Sequence, residues 1–160
     1  MKIFYFLIIT FVFTNTSYAQ PAKKTIKPAV FTPVTKFKPP VVKTFLGRNT
    51  NGANVTIEEA NQLVTLPLKI TDDKNTVYTI SSYQFMYRKK SVIENEQTGK
   101  KEIAFSTVAD IFKATPLPKV WKDNISGGIQ KGEELFFFDI IVNDKLNRKF
   151  FAPDIKIIVK

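Results

Sequence analysis

The run Leu135-Phe136-Phe137-Phe138-Asp139-Ile140-Ile141-Val142 holds seven apolar residues in eight. At the two-residue period of a strand, Phe136, Phe138, Ile140 and Val142 share one face, and Leu135, Phe137 and Ile141 share the other with Asp139. A strand that is apolar on both faces must be covered on both, which places it in the middle of a sheet with further material packed against it. The Phe136 face is expected in the core.

The surrounding sequence supplies neighbours of the same kind. Gly127, Gly128 and Gly132 punctuate the approach, and Asn143-Asp144-Lys145 reads as a turn into a strand from Arg148 to Phe151. After Pro153-Asp154, a terminal strand alternates Ile155, Ile157 and Val159 with Lys156 and Lys160. Upstream, Val77 to Lys89 is a long strand rich in Tyr, Ile, Thr and Phe, with Val77, Tyr83, Phe85 and Tyr87 on one side and Tyr78, Ile80 and Met86 on the other. Leu66 to Ile70 reads as a strand closed by the Asp72-Asp73-Lys74-Asn75 turn. Val92 to Glu96 and Glu102 to Ser106 pair about Gln97-Thr98-Gly99-Lys100.

Helix signals are few. Thr56-Ile57-Glu58-Glu59 fits a capping box ahead of Ala60 to Leu63, and Val108 to Lys113 suggests a single helical turn before Pro116 and Pro118 force an irregular crossing. Short strands separated by turns, with one or two short helices, predict a mainly β, β-sandwich-like single domain, Ig-like or of a related two-layer type.

The N-terminal third has a different character. Met1-Lys2 precedes an apolar stretch from Ile3 to Phe13, and Ser17-Tyr18-Ala19 sets small residues at the −3 and −1 positions of a cleavage site. Residues 1–19 therefore read as a secretory signal peptide cut between Ala19 and Gln20, the stretch being shorter than the roughly 20 residues of a spanning helix. No membrane span is expected in the mature chain. Between Gln20 and Ile57 stand six lysines and Arg48 with no acidic residue, whereas from Glu58 onward sixteen basic residues face fourteen acidic ones. Five of the nine prolines also lie before residue 41, so residues 20–40 read as a basic, extended, solvated leader ahead of a body spanning 41–160. A leader in which Phe31, Phe37 and Phe45 interleave with lysines also has the composition of a docking segment, although a tether explains it more simply. Export and the lack of an arginine fork for base edges argue against nucleic acid.

Of 160 residues none is Cys or His, which excludes disulfides, Cys/His zinc sites, thiol nucleophiles and histidine triads. The adjacent carboxylates at Glu58-Glu59, Asp72-Asp73 and Glu133-Glu134 point apart on strands and turns and are explained as helix cap, turn and solvated strand start. Asp72, Asp73 and Asn75 lack the glycine and distal Glu of a calcium loop. No enzyme activity, metal or cofactor is expected. Trp121 reads as a partly buried anchor beneath the proline-rich crossing. With the tyrosines it would alternatively offer a stacking platform for an envelope polymer or carbohydrate.

From Gly132 through Phe136, Phe138, Asp139, Ile140, Asn143-Asp144, Arg148, Phe151, Pro153 and Ile155-Lys156-Ile157, the chain resembles the C-terminal β domain of the gliding-motility and type IX secretion family GldM, also called PorM. Phe45-Leu46-Gly47, Asn51-Gly52, the Thr56 to Asn61 helix and the Val77 to Tyr87 strand are similar in order and spacing, so the likeness spans roughly 41–160. It implies a non-catalytic interaction domain, periplasmic or at the cell surface, in bacteria of the Bacteroidetes type. Its partners would be envelope proteins, possible copies of itself included. Members of that family begin with a transmembrane helix joined to a motor, whereas this chain begins with a signal peptide, so the fold and interaction role carry over and the motor does not. Contact is expected through an exposed strand edge or the Tyr83, Phe85, Tyr87 region, with Trp121 a further candidate.

Overall fold

Alternation decides the structure over most of the chain. The computed structural model describes residues 36–160. The expected signal peptide, its cut at Ala19/Gln20 and the leader as far as residue 35 lie outside these. Among the described residues the strands are β1 (Val42–Leu46), β2 (Asn49–Thr50), β3 (Ala53–Val55), β4 (Leu68–Asp72), β5 (Val77–Glu94), β6 (Lys101–Phe112), β7 (Glu134–Asn143), β8 (Lys149–Ala152) and β9 (Ile155–Val159). Two short helices, α1 (Ile57–Leu63) and α2 (Lys119–Ser126), complete a mostly β, sandwich-like domain.

β5 and β7 form a long antiparallel ribbon with different neighbours at its two ends. At one end the order runs β2-β1-β4-β5-β7-β8, and at the other β6-β5-β7-β9-β3, every pair antiparallel except β3 with β9. The ribbon changes layers where its register slips, between Ile80 and Gln84 on β5 and opposite Asp139 on β7. Asp139 adopts φ of +47° there, its amide donating to Asp154 Oδ1 at 3.1 Å and its carboxylate accepting from Gln84 Nε2 at 2.8 Å. Strands that switch sheets do so through bulges of this kind.

The bulges overturn the simple parity of the sequence. Leu135 and Phe137 are buried before Asp139, and Ile140 and Val142 after it, so the core face is not that of Phe136 and Phe138, which lie half-buried on the outside. On β5 the same slip leaves Val77 63% exposed, while Tyr78 and Ile80 join Tyr83, Phe85 and Tyr87 against the core. Around these, Leu46, Ile70, Ile155, Ile157 and Ile125 of α2 are fully enclosed.

Two further expectations are corrected. Val108 to Phe112 is strand, not helix, because Tyr83 to Tyr87 of β5 offer it a ladder partner at every residue. β4 starts at Leu68 instead of Leu66, since Leu66 still donates to Leu63 O at the end of α1 and Pro67 has no amide to offer a ladder. Ahead of β1, Phe37 packs on the core with its ring centroid 6.3 Å from that of Phe150 and the Arg148 guanidinium 4.1 Å away.

Local chemistry sets the ends of elements. Thr56 caps α1, its hydroxyl accepting from the Glu59 amide at 3.2 Å, while Glu58 supplies the helix-start carboxylate, held below its ordinary pKa by its own amide and the Thr56 hydroxyl. The β4–β5 and β7–β8 turns are built alike. Asp72 Oδ1 accepts from the amides of Lys74 and Thr76, Asp144 Oδ1 from those of Leu146 and Arg148, and in each turn the fourth residue, Asn75 or Asn147, takes positive φ. Gly52 is needed ahead of β3, where a Cβ would stand 2.8 Å from the Lys156 carbonyl oxygen.

Candidate interaction surface

The neighbours of β5 run out at different points. β7 accompanies it only as far as Arg88, opposite Glu134, whereas β6 continues to Glu94. At that divergence Glu133 is fully buried, its Oε1 accepting from the Lys90 amide at 2.9 Å and its Oε2 from the Gln130 amide at 3.0 Å and from the Tyr87 hydroxyl. The carboxylate thus takes the ladder bond that β7 no longer supplies to Lys90. Beyond it, residues 91–104 pair, among the described residues, only with each other and form a two-stranded arm. Asn95 closes its tip, its Oδ1 accepting from the amides of Gln97 and Thr98, with Gly99 at φ of +65°.

The arm carries three large apolar side chains into solvent among polar and charged ones. Val92, Ile93 and Ile103 are 56–62% exposed, and Phe105 at its base 43%. Among the described residues the far edge of β6 has no strand beside it. From the arm an outer face runs back along the ribbon, since the registers set Phe105 beside Lys90, Ala109 beside Met86 and Phe136, and Ile111 beside Gln84 and Phe138. The rings of Phe136 and Phe138 stack at 4.9 Å, and the Arg88 guanidinium lies 4.0 Å over Phe105. Glu134 holds this face together, bonded to Lys156 at 2.7 Å and Arg88 at 3.0 Å, and these two cations keep its pKa below the ordinary value. A hollow of about 270 Å³ between Gln84, Ile111, Asp139, Ile141 and Phe151 continues the face past the bulge. Contiguous exposed apolar surface rimmed by charge marks contact sites.

The four residues singled out in the sequence do come together, but inside. Tyr83, Phe85 and Tyr87 are 1%, 0% and 5% exposed, so they are core and not docking residues. Phe85 lies 4.7 Å from Phe137 and 5.4 Å from Trp121, and Tyr83 lies 5.7 Å from Phe112. Burial pushes the Tyr83 phenol up to about 12, and burial together with Glu133 raises Tyr87 further. The sequence misled because α2, which covers these rings, was not legible in it. Trp121 stands on α2, half-buried and edge-on to Phe85 and Phe112, beside a hollow of about 270 Å³ shared with Tyr87, Lys89, Val108 and Asn124. Its ring anchors the helix against Phe85 and Phe112 and also lines that hollow.

The carboxylate pairs are placed in separate structural tasks. Glu58 and Glu59 occupy the first turn of α1, and Asp73 makes an exposed ion pair with Lys43. Asp72 and Asp144 line an open groove of about 490 Å³, yet their oxygens are taken by their own turns, Asp144 also binding the Arg148 side chain at 2.7 Å. Among the described residues no three acidic side chains gather as a metal site, and no helix is long and apolar enough to cross a membrane. Glu133, expected with Glu134 at a solvated strand start, is instead fully buried because its carboxylate accepts from two backbone amides and the Tyr87 hydroxyl, and the full length of β6 went unnoticed in the sequence. The sequence signal for β6 was the uninterrupted run from Ile103 to Phe112, with neither Gly nor Pro to end a strand.

No protein-family model matches the chain, and no curated protein matches it.

Proposed function

We propose that the domain is a non-catalytic protein-interaction module, exported to the periplasm, that docks an envelope protein through its β5–β6 arm and the outer face behind it. The observation that carries the reading is the arm itself: Val92, Ile93 and Ile103 stand exposed on the stretch of β5 and β6 that has no other strand beside it among the described residues. An isolated two-stranded ribbon with apolar side chains is poorly stabilised alone and gains by packing on another surface. The likeness to the GldM C-terminal domain supplies the class of partner, a component of gliding or type IX secretion machinery.

The test is mild crosslinking of the tagged chain in native envelope, followed by mass spectrometry, beside a Val92→Lys/Ile103→Lys variant. Secretion or gliding components enriched by the parent and lost with the variant are the expected result. Equal recovery by both, or recovery of polysaccharide or peptidoglycan alone, sinks the reading, and the second of these favours polymer binding instead.

A further inference from the structure

We propose that β6 pairs edge to edge and antiparallel with β6 of a second copy, about a two-fold axis at Val108. Among the described residues β6 has a strand only on its β5 side, over all twelve residues. It lacks the usual guards of such an edge: no proline interrupts it, its register with β5 has no bulge, and its charges are confined to Lys101, Glu102 and Asp110.

Two-fold symmetry limits the register. One residue must stand opposite its own copy, because centring between residues would oppose side chains from different faces of the sheet. Centring on Phe105 sets Glu102 against Val108, a charge on an apolar side chain. Centring on Ser106 sets Glu102 against Asp110, two like charges, which is destabilising. Centring on Thr107 opposes Asp110 to Ala104 and Lys101 to Lys113. Centring on Val108 sets Phe105 against Ile111 and Ser106 against Asp110, so that apolar meets apolar and hydroxyl meets carboxylate, each twice by symmetry. Phe105, Val108 and Ile111 are 43%, 51% and 62% exposed in the single chain and have surface to lose. The paired stretch, residues 104–112, makes a seam about 30 Å long and joins the two outer faces into one. It leaves Val92, Ile93 and Ile103 free, so the self-pairing goes beyond the envelope-partner reading and does not depend on it.

Light scattering on the full chain at micromolar concentration should return twice the monomer mass. Val108→Lys sets two ammonium groups face to face at the axis, on a side chain already half exposed, and should halve that mass. Because the chain has no cysteine, Val108→Cys carries a single thiol that meets itself. Cα atoms across an antiparallel pair are about 4.5–5.5 Å apart, within disulfide reach, so mild oxidation should link the dimer there, whereas Ile93→Cys should remain unlinked. A monomeric parent, a dimer that survives Val108→Lys, or no link through Cys at 108 overturns the pairing. A monomer that still captures envelope partners removes the self-pairing alone, and a dimer that captures none removes the partner reading alone.

Discussion

β7 and β6 flank the same strand and differ in what lies across their faces. Along β7, Leu135, Phe137, Ile140 and Val142 are buried, whereas of the twelve residues of β6 only Phe112 is. Side-chain type does not account for this, since β6 also carries Ile103, Phe105, Val108 and Ile111. Position in the sheet does: β7 is paired on both sides, whereas among the described residues β6 has a strand only on its β5 side. The lesson is that one apolar strand is stabilising core and the other is surface left over, available for contact. The sharpest way to break the contrast is to shorten one side chain in each region. Phe85→Ala opens a cavity in the ring cluster and should cost about 3–5 kcal/mol in a urea titration, against about 0.5 kcal/mol or less for Ile103→Ala. Equal losses would mean that the arm is packed.

The junction between the two regions comes next. Glu133→Ala strands the amides of Lys90 and Gln130 and the Tyr87 hydroxyl, and at about 1–3 kcal/mol per buried unpaired group should cost about 2–4 kcal/mol once solvent reaches some of them. Hydrogen exchange should quicken first at Ser91 to Glu94, where the arm leaves the clamp. If exchange instead rises evenly over β5, Glu133 does not define where the arm begins.

Alkaline pH probes the covered side through its buried phenols. The folded pKa of Tyr83 stands above the ordinary phenol value near 10, at about 12, with burial as the first cause. A group whose folded pKa is raised contributes stability that is complete below the unfolded value and is lost as pH rises through the folded one, here between about 10 and about 12. Spectroscopic titration should show late ionisation at Tyr83, and Tyr83→Phe should remove part of the alkaline loss. A Tyr83 that ionises with exposed phenols would mean its ring cluster is open to water.

Which parts could be read beforehand follows the same division. Turns and alternating strands are local, and so Asp72 to Asn75, the Thr56 cap, and Ile155, Ile157 and Val159 stand where the residues place them. The Phe136 and Phe138 face was misassigned because a bulge at a non-glycine residue, Asp139, leaves no mark in the alternation on either side. α2 escaped notice because it follows Pro118 with no side-chain cap and buries only Ile125, and hidden with it was the cover over Tyr83 and Phe85. The exposed face of β6 escaped for the same reason: its exposure depends on where other elements stop, which no residue in β6 records.

The paired turns sharpen this point at lower cost. Asn147 sits at φ of +58° beyond Asp144, a conformation open to Asn and Gly but strained for residues with a branched or bare Cβ. Asn147→Ala should cost about 1 kcal/mol, and Asn147→Gly should stay within a few tenths, with the same pattern at Asn75. Matching losses from Ala and Gly would show that the Asn side chain and not its backbone is what the turn requires.

The smallest effect belongs to the arm, and its smallness carries the argument. Val92→Thr and Ile103→Thr keep the β-branch that suits a strand and remove apolar surface that is already about three-fifths exposed. Nothing in the single chain depends on those methyl groups, so the urea midpoint should move by no more than about 0.5 kcal/mol for either. A larger loss would place another part of the chain over the arm and remove the reason for expecting a partner there. An unchanged midpoint joined to weaker envelope capture would separate contact from stability within one strand, since the same β5 would then hold its fold through Phe85 and its partner through Val92.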